Sequence, residues 1–240
     1  MVRLDMDQNR VRVYEDSTVI GSIELYDNLY HMQNQYLKLD DFTYDTRISE
    51  ELFRKLHDRI GRPLQIMTAS EDEPLIEFIV SGGFVCKRKC YEVEAAREDY
   101  IGEAVTGSIS RAEKGEKEYG HCCRLLYDRY AETHSAINPL TAELPVFASD
   151  LPDCVCYQMR EGRIIGFAFV AENEIAYVYG EDGRDFVPFA EALACSLFAQ
   201  YQTVCFEADD CDRTAMQLKN LFTCRNDVSF DTYIYDCNSI

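Results

Sequence analysis

Apolar and polar positions alternate over "RVRVY" (10–14), "VIGSIEL" (19–25) and "QYLKL" (35–39). A period of two predicts strands with one face on a core, and the polar turn "YEDST" predicts a hairpin between the first two. The period then changes. "ISEELFRKLHDRI" (48–60) places Leu52, Phe53, Leu56 and Ile60 on one helical face. A short apolar strand follows, "LQIMTA" (64–69), then a helix, "EPLIEFIVSGG" (73–83), and a strand, "FVCKRKCYEVE" (84–94). An acidic residue opens that helix, as the dipole favours, and Gly82 and Gly83 supply its C-terminal cap.

The same order recurs. "CVCYQM" (154–159) and "IIGFAFV" (164–170) flank the turn "REGR", and "IAYVY" (175–179) follows. "FVPFAEALACSLFAQ" (186–200) is a helix with Phe186, Phe189, Ala190, Leu193 and Leu197 on one face, and Pro188 is expected in its first turn. Next come "TVCFEA" (203–208), "DRTAMQLKNLF" (212–222) and "DVSFDTYIYD" (227–236). Ala69 and Ala208, then Pro74 and Thr214, stand at offsets of 139 and 140 residues. A unit of three strands, helix, strand, helix and strand is therefore written twice. Between the copies, residues 96–118 are charged and weakly patterned. This predicts domains at 1–95 and 119–240 with a linker between. The second copy alone has a leading helix, "YGHCCRLLYDRYAETH" (119–134), with Cys122, Leu126 and Tyr130 spaced by four.

Composition narrows the function. Of 240 residues, 47% are hydrophobic, enough for a real core. A net charge of -19 would repel nucleic-acid backbones and anionic membranes, so neither is expected as a partner. No apolar stretch resembles a signal peptide or a membrane span, so a cytoplasmic protein is expected. Eleven cysteines include Cys86 and Cys90, the adjacent pair Cys122 and Cys123, and Cys154 and Cys156, but no CxxC. They read as small buried hydrophobes in the reduced state, and no metal is expected. "HCC" (121–123) comes nearest to a thiol or metal motif. No P-loop, GxSxG or HExxH is present.

A strand meander, a helix after its last strand, then strand–helix–strand resembles the GCN5-related N-acetyltransferase fold. "IIGFAFV" looks like that family's second hairpin strand, and "EDEPLIEFIVSGGFVCKRKCYEVE" like its closing helix, "GF" turn and final hairpin. The fold class is thus α/β (α+β), with two such mixed-sheet units in tandem. The resemblance implies acetyl-CoA or another acyl-CoA as cosubstrate and an amine, small-molecule or peptide, as acceptor. The pantetheine arm would lie between the fourth and fifth strands, and the pyrophosphate on backbone N–H groups at the next helix start.

In the first copy that place reads "LDDFTYDTRISEEL". It has no glycine, and Asp40, Asp41 and Asp45 would repel a pyrophosphate, with Arg47 the lone cation. In the second it reads "YVYGEDGRDFVPFAEAL" (177–193). The implied cofactor-binding residues are Val178, Tyr179, Gly180, Gly183, Arg184 and Phe186, although Glu181, Asp182 and Asp185 make the turn acidic. A backbone N–H near Val178 or Tyr179 would stabilise the oxyanion. The family's acid tyrosine falls on Ile79 and Lys219, neither of which can replace it. Glu174 and, less directly, Tyr177 or Tyr179 are the candidates for the general base. Two readings follow. One is an acyl-CoA-dependent N-acyltransferase active in its second half. The other is a non-catalytic module that binds a protein or small ligand in the old cleft.

Overall fold

Val2, Leu4, Val11 and Val13 are buried while Arg3, Asp5, Arg10 and Arg12 between them are exposed. This alternation folds Val2–Asp7 (β1) and Arg10–Glu15 (β2) into an antiparallel pair, in a computed structural model that describes residues 1–103, 109–181, 183–223 and 228–236. Thr18–Tyr26 (β3) and Gln35–Asp40 (β4) extend the meander. Thr46–Ile60 (α1) follows. Its N-cap Asp45 accepts the Arg47 N–H at 3.0 Å, and Gly61, in the left-handed region at φ 74°, closes its end. Leu64–Ala69 (β5) then lies parallel to β4, and Glu73–Ser81 (α2) packs on α1.

Val85–Ala96 (β6) leads on to Ser110–Glu113 (β7). Lys117–His134 (α3) and Leu144–Ser149 (α4) separate β7 from Cys154–Arg160 (β8), where the first copy has only a tight turn between β1 and β2. Arg163–Ala171 (β9), Glu174–Gly180 (β10), Gly183–Phe198 (α5), Thr203–Asp209 (β11), Arg213–Lys219 (α6) and Ser229–Tyr235 (β12) complete the chain. The fold is mixed α/β with two units, as the repeated pattern implies. Three elements are additions to that pattern: β1, α4, and β7, which lies within 96–118. Residues 104–108 of that span lie outside the described residues.

The compact units are discontinuous in sequence. One comprises Met1–Lys89, Ser135–Thr141 and Ser229–Ile240, the other Cys90–His134 and Ala142–Val228. In the first, the strand order is β1-β2-β3-β4-β5-β12; in the second it is β6-β11-β10-β9-β8-β7. β12 pairs with β5 from Phe230↔Ala69 to Tyr235↔Leu64, and β6 pairs with β11 from Cys90↔Asp209 to Ala96↔Thr203. The closing strand of each sequence copy thus completes the sheet of the other unit.

Each unit has its own core. Leu52, Phe53, Leu56, Phe78 and Phe84 centre the first, and Phe186, Phe189, Leu193, Leu197 and Phe206 the second. At about 25 cal/mol per Å2, burying side chains of this size supplies most of the driving force for folding. α5 differs in one respect from the expectation. It begins at Gly183, so Pro188 lies in its second turn and leaves one helix hydrogen bond unmade.

Candidate functional site

In the second unit β10 and β11 are parallel partners only at Glu174↔Cys205 and Ile175↔Phe206. Asn173 ties this closed end, its carbonyl accepting the Cys205 N–H at 3.0 Å. A register shift between Ile175 and Tyr177 then breaks the β9–β10 ladder. A bulge adds twist to its strand, and beyond this one β10 and β11 diverge. A cavity of about 70 Å3 occupies the gap. Ala176, Tyr177 and Val178 line it from β10, Glu207 and Asp209 from β11, and Asp212 and Ala215 from the start of α6. Arg129, Tyr130 and His134 of α3 line it from across the sheet.

The lining is acidic, with Glu207 exposed and Tyr177, Asp209 and Asp212 half-buried. Burial raises the Tyr177 hydroxyl above the ordinary phenol range, and Glu207, Asp150, Asp209 and Glu174 push it the same way. It is a proton donor at neutral pH. Burial also raises the Asp212 carboxyl, against the hydrogen bonds it accepts from the Thr214 and Ala215 N–H groups as the N-cap of α6. The Cys90 thiol donates to Glu207 at 3.6 Å. His134 is 4% exposed, and its ring stacks on Tyr130 with centroids 3.9 Å apart. Its Nδ1 lies 3.0 Å from the Tyr130 carbonyl oxygen, and its Nε2 lies 3.5 Å from Asp209 Oδ2. Among the described residues, no group of three or more His, Cys, Asp or Glu is arranged to hold a metal ion.

The structure separates the residues named from sequence. Tyr177 and Val178 line the cavity; Glu174 is exposed at the closed end of the strands, outside the lining. Tyr179 stacks on Phe167, centroids 4.9 Å apart. Gly180 is held by packing, since a Cβ there would lie 2.7 Å from Phe186 Cβ, and Phe186 is wholly buried in the core. The Glu181 N–H is engaged by the Ile165 carbonyl at 3.1 Å. Arg160 holds both oxygens of Asp185 at 2.8 Å, which neutralises that carboxylate. Gly183 opens α5 with Arg184 behind it; Asp182 and the Arg184 side chain lie outside what is described. Pattern reading missed Glu207, Asp209 and Asp212, for which the run "EADDCD" (207–212) at a strand end was the available signal; from sequence, His134 is notable only as one of two histidines, with His121, that could partner a cysteine nucleophile.

The first unit repeats the splay with a different loop after its fourth strand. β4 and β5 pair only at Gln35↔Leu64 and Tyr36↔Gln65. β4 has no register shift against β3. The β4–α1 loop turns back, its Thr43 N–H donating to the Ile20 carbonyl at 2.8 Å. Phe42 and Tyr44 then pack on Phe78 of α2, with centroids 5.4 and 5.5 Å away. The Tyr44 hydroxyl is raised by burial and by Asp72, the N-cap of α2 and counterpart of Asp212.

A strand meander, a crossover helix, a splayed parallel pair and a second helix define the fold of the GCN5-related N-acetyltransferases, and this chain carries it as two units. No protein-family model and no curated protein matches the sequence. Solved structures do match. A GCN5-related N-acetyltransferase from Sphaerobacter thermophilus is similar with a TM-score of 0.51 and 10% identity, over 97% of this chain and 82% of that one. A protein from Enterococcus faecalis V583, described as a "Probable N-Acyltransferase", is similar with a TM-score of 0.50 and 14% identity. That match covers 94% of this chain, which spans 61% of the other.

Proposed function

We propose that this protein is an acyl-CoA-dependent N-acyltransferase, active in its second unit, that transfers an acetyl or other acyl group to an amine. One contrast carries the reading. The second unit lines the gap between its fourth and fifth strands with Tyr177, Glu207, Asp209 and Asp212; in the first, the loop after the fourth strand instead packs Phe42 and Tyr44 on Phe78 of the following helix. The cosubstrate brings an acyl thioester, reactive toward an amine without further activation. Its pantetheine arm would enter at the splay, and its pyrophosphate would meet the first turn of α5, where the N–H groups of Gly183 and Arg184 begin the helix.

The chain's own part is positioning and proton management. Glu207, Asp209 and Asp212 attract a cationic amine. Val178 and Tyr179 sit where a backbone N–H stabilises the oxyanion, and the protonated Tyr177 hydroxyl supplies the leaving thiolate with its proton. A second reading, a binding module without catalysis, draws on the turn itself. Gly180 serves Phe186 packing, and the Glu181 N–H is already engaged, so part of an anion loop is committed elsewhere.

Thermal shift with acetyl-CoA separates the two readings, because a ligand that binds only the folded state raises the melting temperature. The enzyme reading expects a concentration-dependent rise that Arg184→Glu abolishes. No rise at millimolar acetyl-CoA would leave the binding module as the answer.

A further inference from the structure

We propose that His134 and Asp209 together form the base that takes the proton from the acceptor amine. This rests on the acyl-transfer reading and names a residue pair that the sequence pattern does not reveal. His134 is the last residue of α3, buried, and in the wall of the cavity. Its ring is fixed on two sides. Tyr130 stacks against it at 3.9 Å, and the Tyr130 carbonyl lies 3.0 Å from Nδ1. The Thr133 hydroxyl, 3.1 Å from Nδ1, has its own acceptor in the same Tyr130 carbonyl at 3.2 Å; a carbonyl oxygen only accepts, so Nδ1 meets it as N–H, and Nε2 is the nitrogen that gains and loses a proton. Nε2 faces Asp209 Oδ2 at 3.5 Å, so the charge the ring acquires meets a carboxylate rather than hydrocarbon.

Every element around the pair presents charged or titratable groups: Glu207 beside Asp209 on β11, Asp212 at α6, Tyr177 on β10, and Arg129 and Tyr130 on α3. Glu207 and Asp212 hold the ammonium. The bound ammonium gives one proton to Nε2, and the neutral amine then attacks the thioester carbonyl. The C–N bond forms as the C–S bond breaks. The second amine proton ends on the departing sulfur by way of the Tyr177 hydroxyl, and Nε2 returns its proton to water. The products are an amide, a thiol and one proton. Glu174 at the closed end of the strands has no part in this path.

The test uses the full chain with acetyl-CoA and three amine probes: 1,4-diaminobutane, benzylamine and a lysine-containing peptide. His134→Gln and Asp209→Asn should each lower kcat about 100-fold while the KM for acetyl-CoA holds, and should flatten the acidic limb of the pH–rate profile. The double variant should lose little more than either single one, as for groups acting as a unit. Should His134→Gln fail to fold, Asp209→Asn carries the same readouts. Independently of turnover, the His134 ring 15N signals, which report the tautomer, should change in Asp209→Asn at a fixed pH, read among the four histidines of the chain. An active wild type with folded variants of unchanged rate and profile would overturn the pair alone. A His134 signal indifferent to Asp209→Asn would also overturn it. Wild type inert toward all three amines would overturn the acyl-transfer reading and the pair with it.

Discussion

A Cβ built on Gly21 would lie 2.4 Å from Phe42 Cδ2 and 2.8 Å from Phe42 Cα. β3 and the loop after β4 therefore touch with no room for a side chain, and the packing of Phe42 on Phe78 of α2 depends on that contact. Gly21 also has φ 153°, which L side chains rarely adopt. Gly21→Ala should cost about 2–3 kcal/mol by overpacking and lower the melting temperature clearly. Phe42→Ala should not rescue it, because the Cα clash remains. Gly61→Ala has only its left-handed φ of 74° to contend with, no neighbour lying within 4 Å, and should cost about 1 kcal/mol. Circular-dichroism melts of the three variants check the order.

Asp212 sets a pH dependence with a definite sign. Its carboxyl is raised by burial, so the folded protein binds that proton more tightly than the unfolded chain does. The resulting stability is fully present below the unfolded carboxyl pKa of about 4 and is lost as pH rises through the folded value. Asn is an equally good N-cap. Asp212→Asn should therefore raise the melting temperature at pH 7, and the gain should vanish below about pH 4. If Asp212 also holds the amine, the same variant should raise the KM of the acceptor, a trade of stability against function.

Tyr177 tests the proton-donor role. Burial and four carboxylates keep its hydroxyl protonated. Tyr177→Phe removes one oxygen from the cavity wall and leaves the ring contacts with Tyr130 and Phe147 available. It should lower kcat about 100-fold with little effect on the KM for acetyl-CoA. Steady-state kinetics alongside a melt separates lost chemistry from lost fold.

The cysteines should label in a fixed order. Burial first of all raises Cys122 to about 12 and Cys156 to about 11, so almost no thiolate exists there at pH 8. Cys86 is exposed. Iodoacetamide followed by peptide mapping should find Cys86 modified in the native protein, and Cys122 and Cys156 modified only after unfolding.

Much of the fold was legible in local pattern. Val11 and Val13 alternate with arginines, and Leu52, Phe53 and Leu56 recur at helical spacing, because burial of one face imposes a period. β7 escaped notice because its four residues bury only Ala112. The β10–α5 turn was visible as glycines among acids, but its roles were not. Gly180 looks like freedom for a ligand and proves to be space for Phe186.

By itself the sequence determined the element order, its repetition, and the faces that are buried, since these follow from side chains a few positions apart. Tertiary structure alone decided which strand pairs with which. The pattern of β6 or β12 states what each buries and not beside whom, so the exchange of closing strands left no local trace. It also decided that Phe42 and Tyr44 pack on Phe78 in one unit while a cavity lies beside the splayed strands of the other. His134 and Asp209 come together from the end of a helix and the end of a strand far apart in the chain, and only the packing of α3 over the splayed strands brings Nε2 within 3.5 Å of the carboxylate.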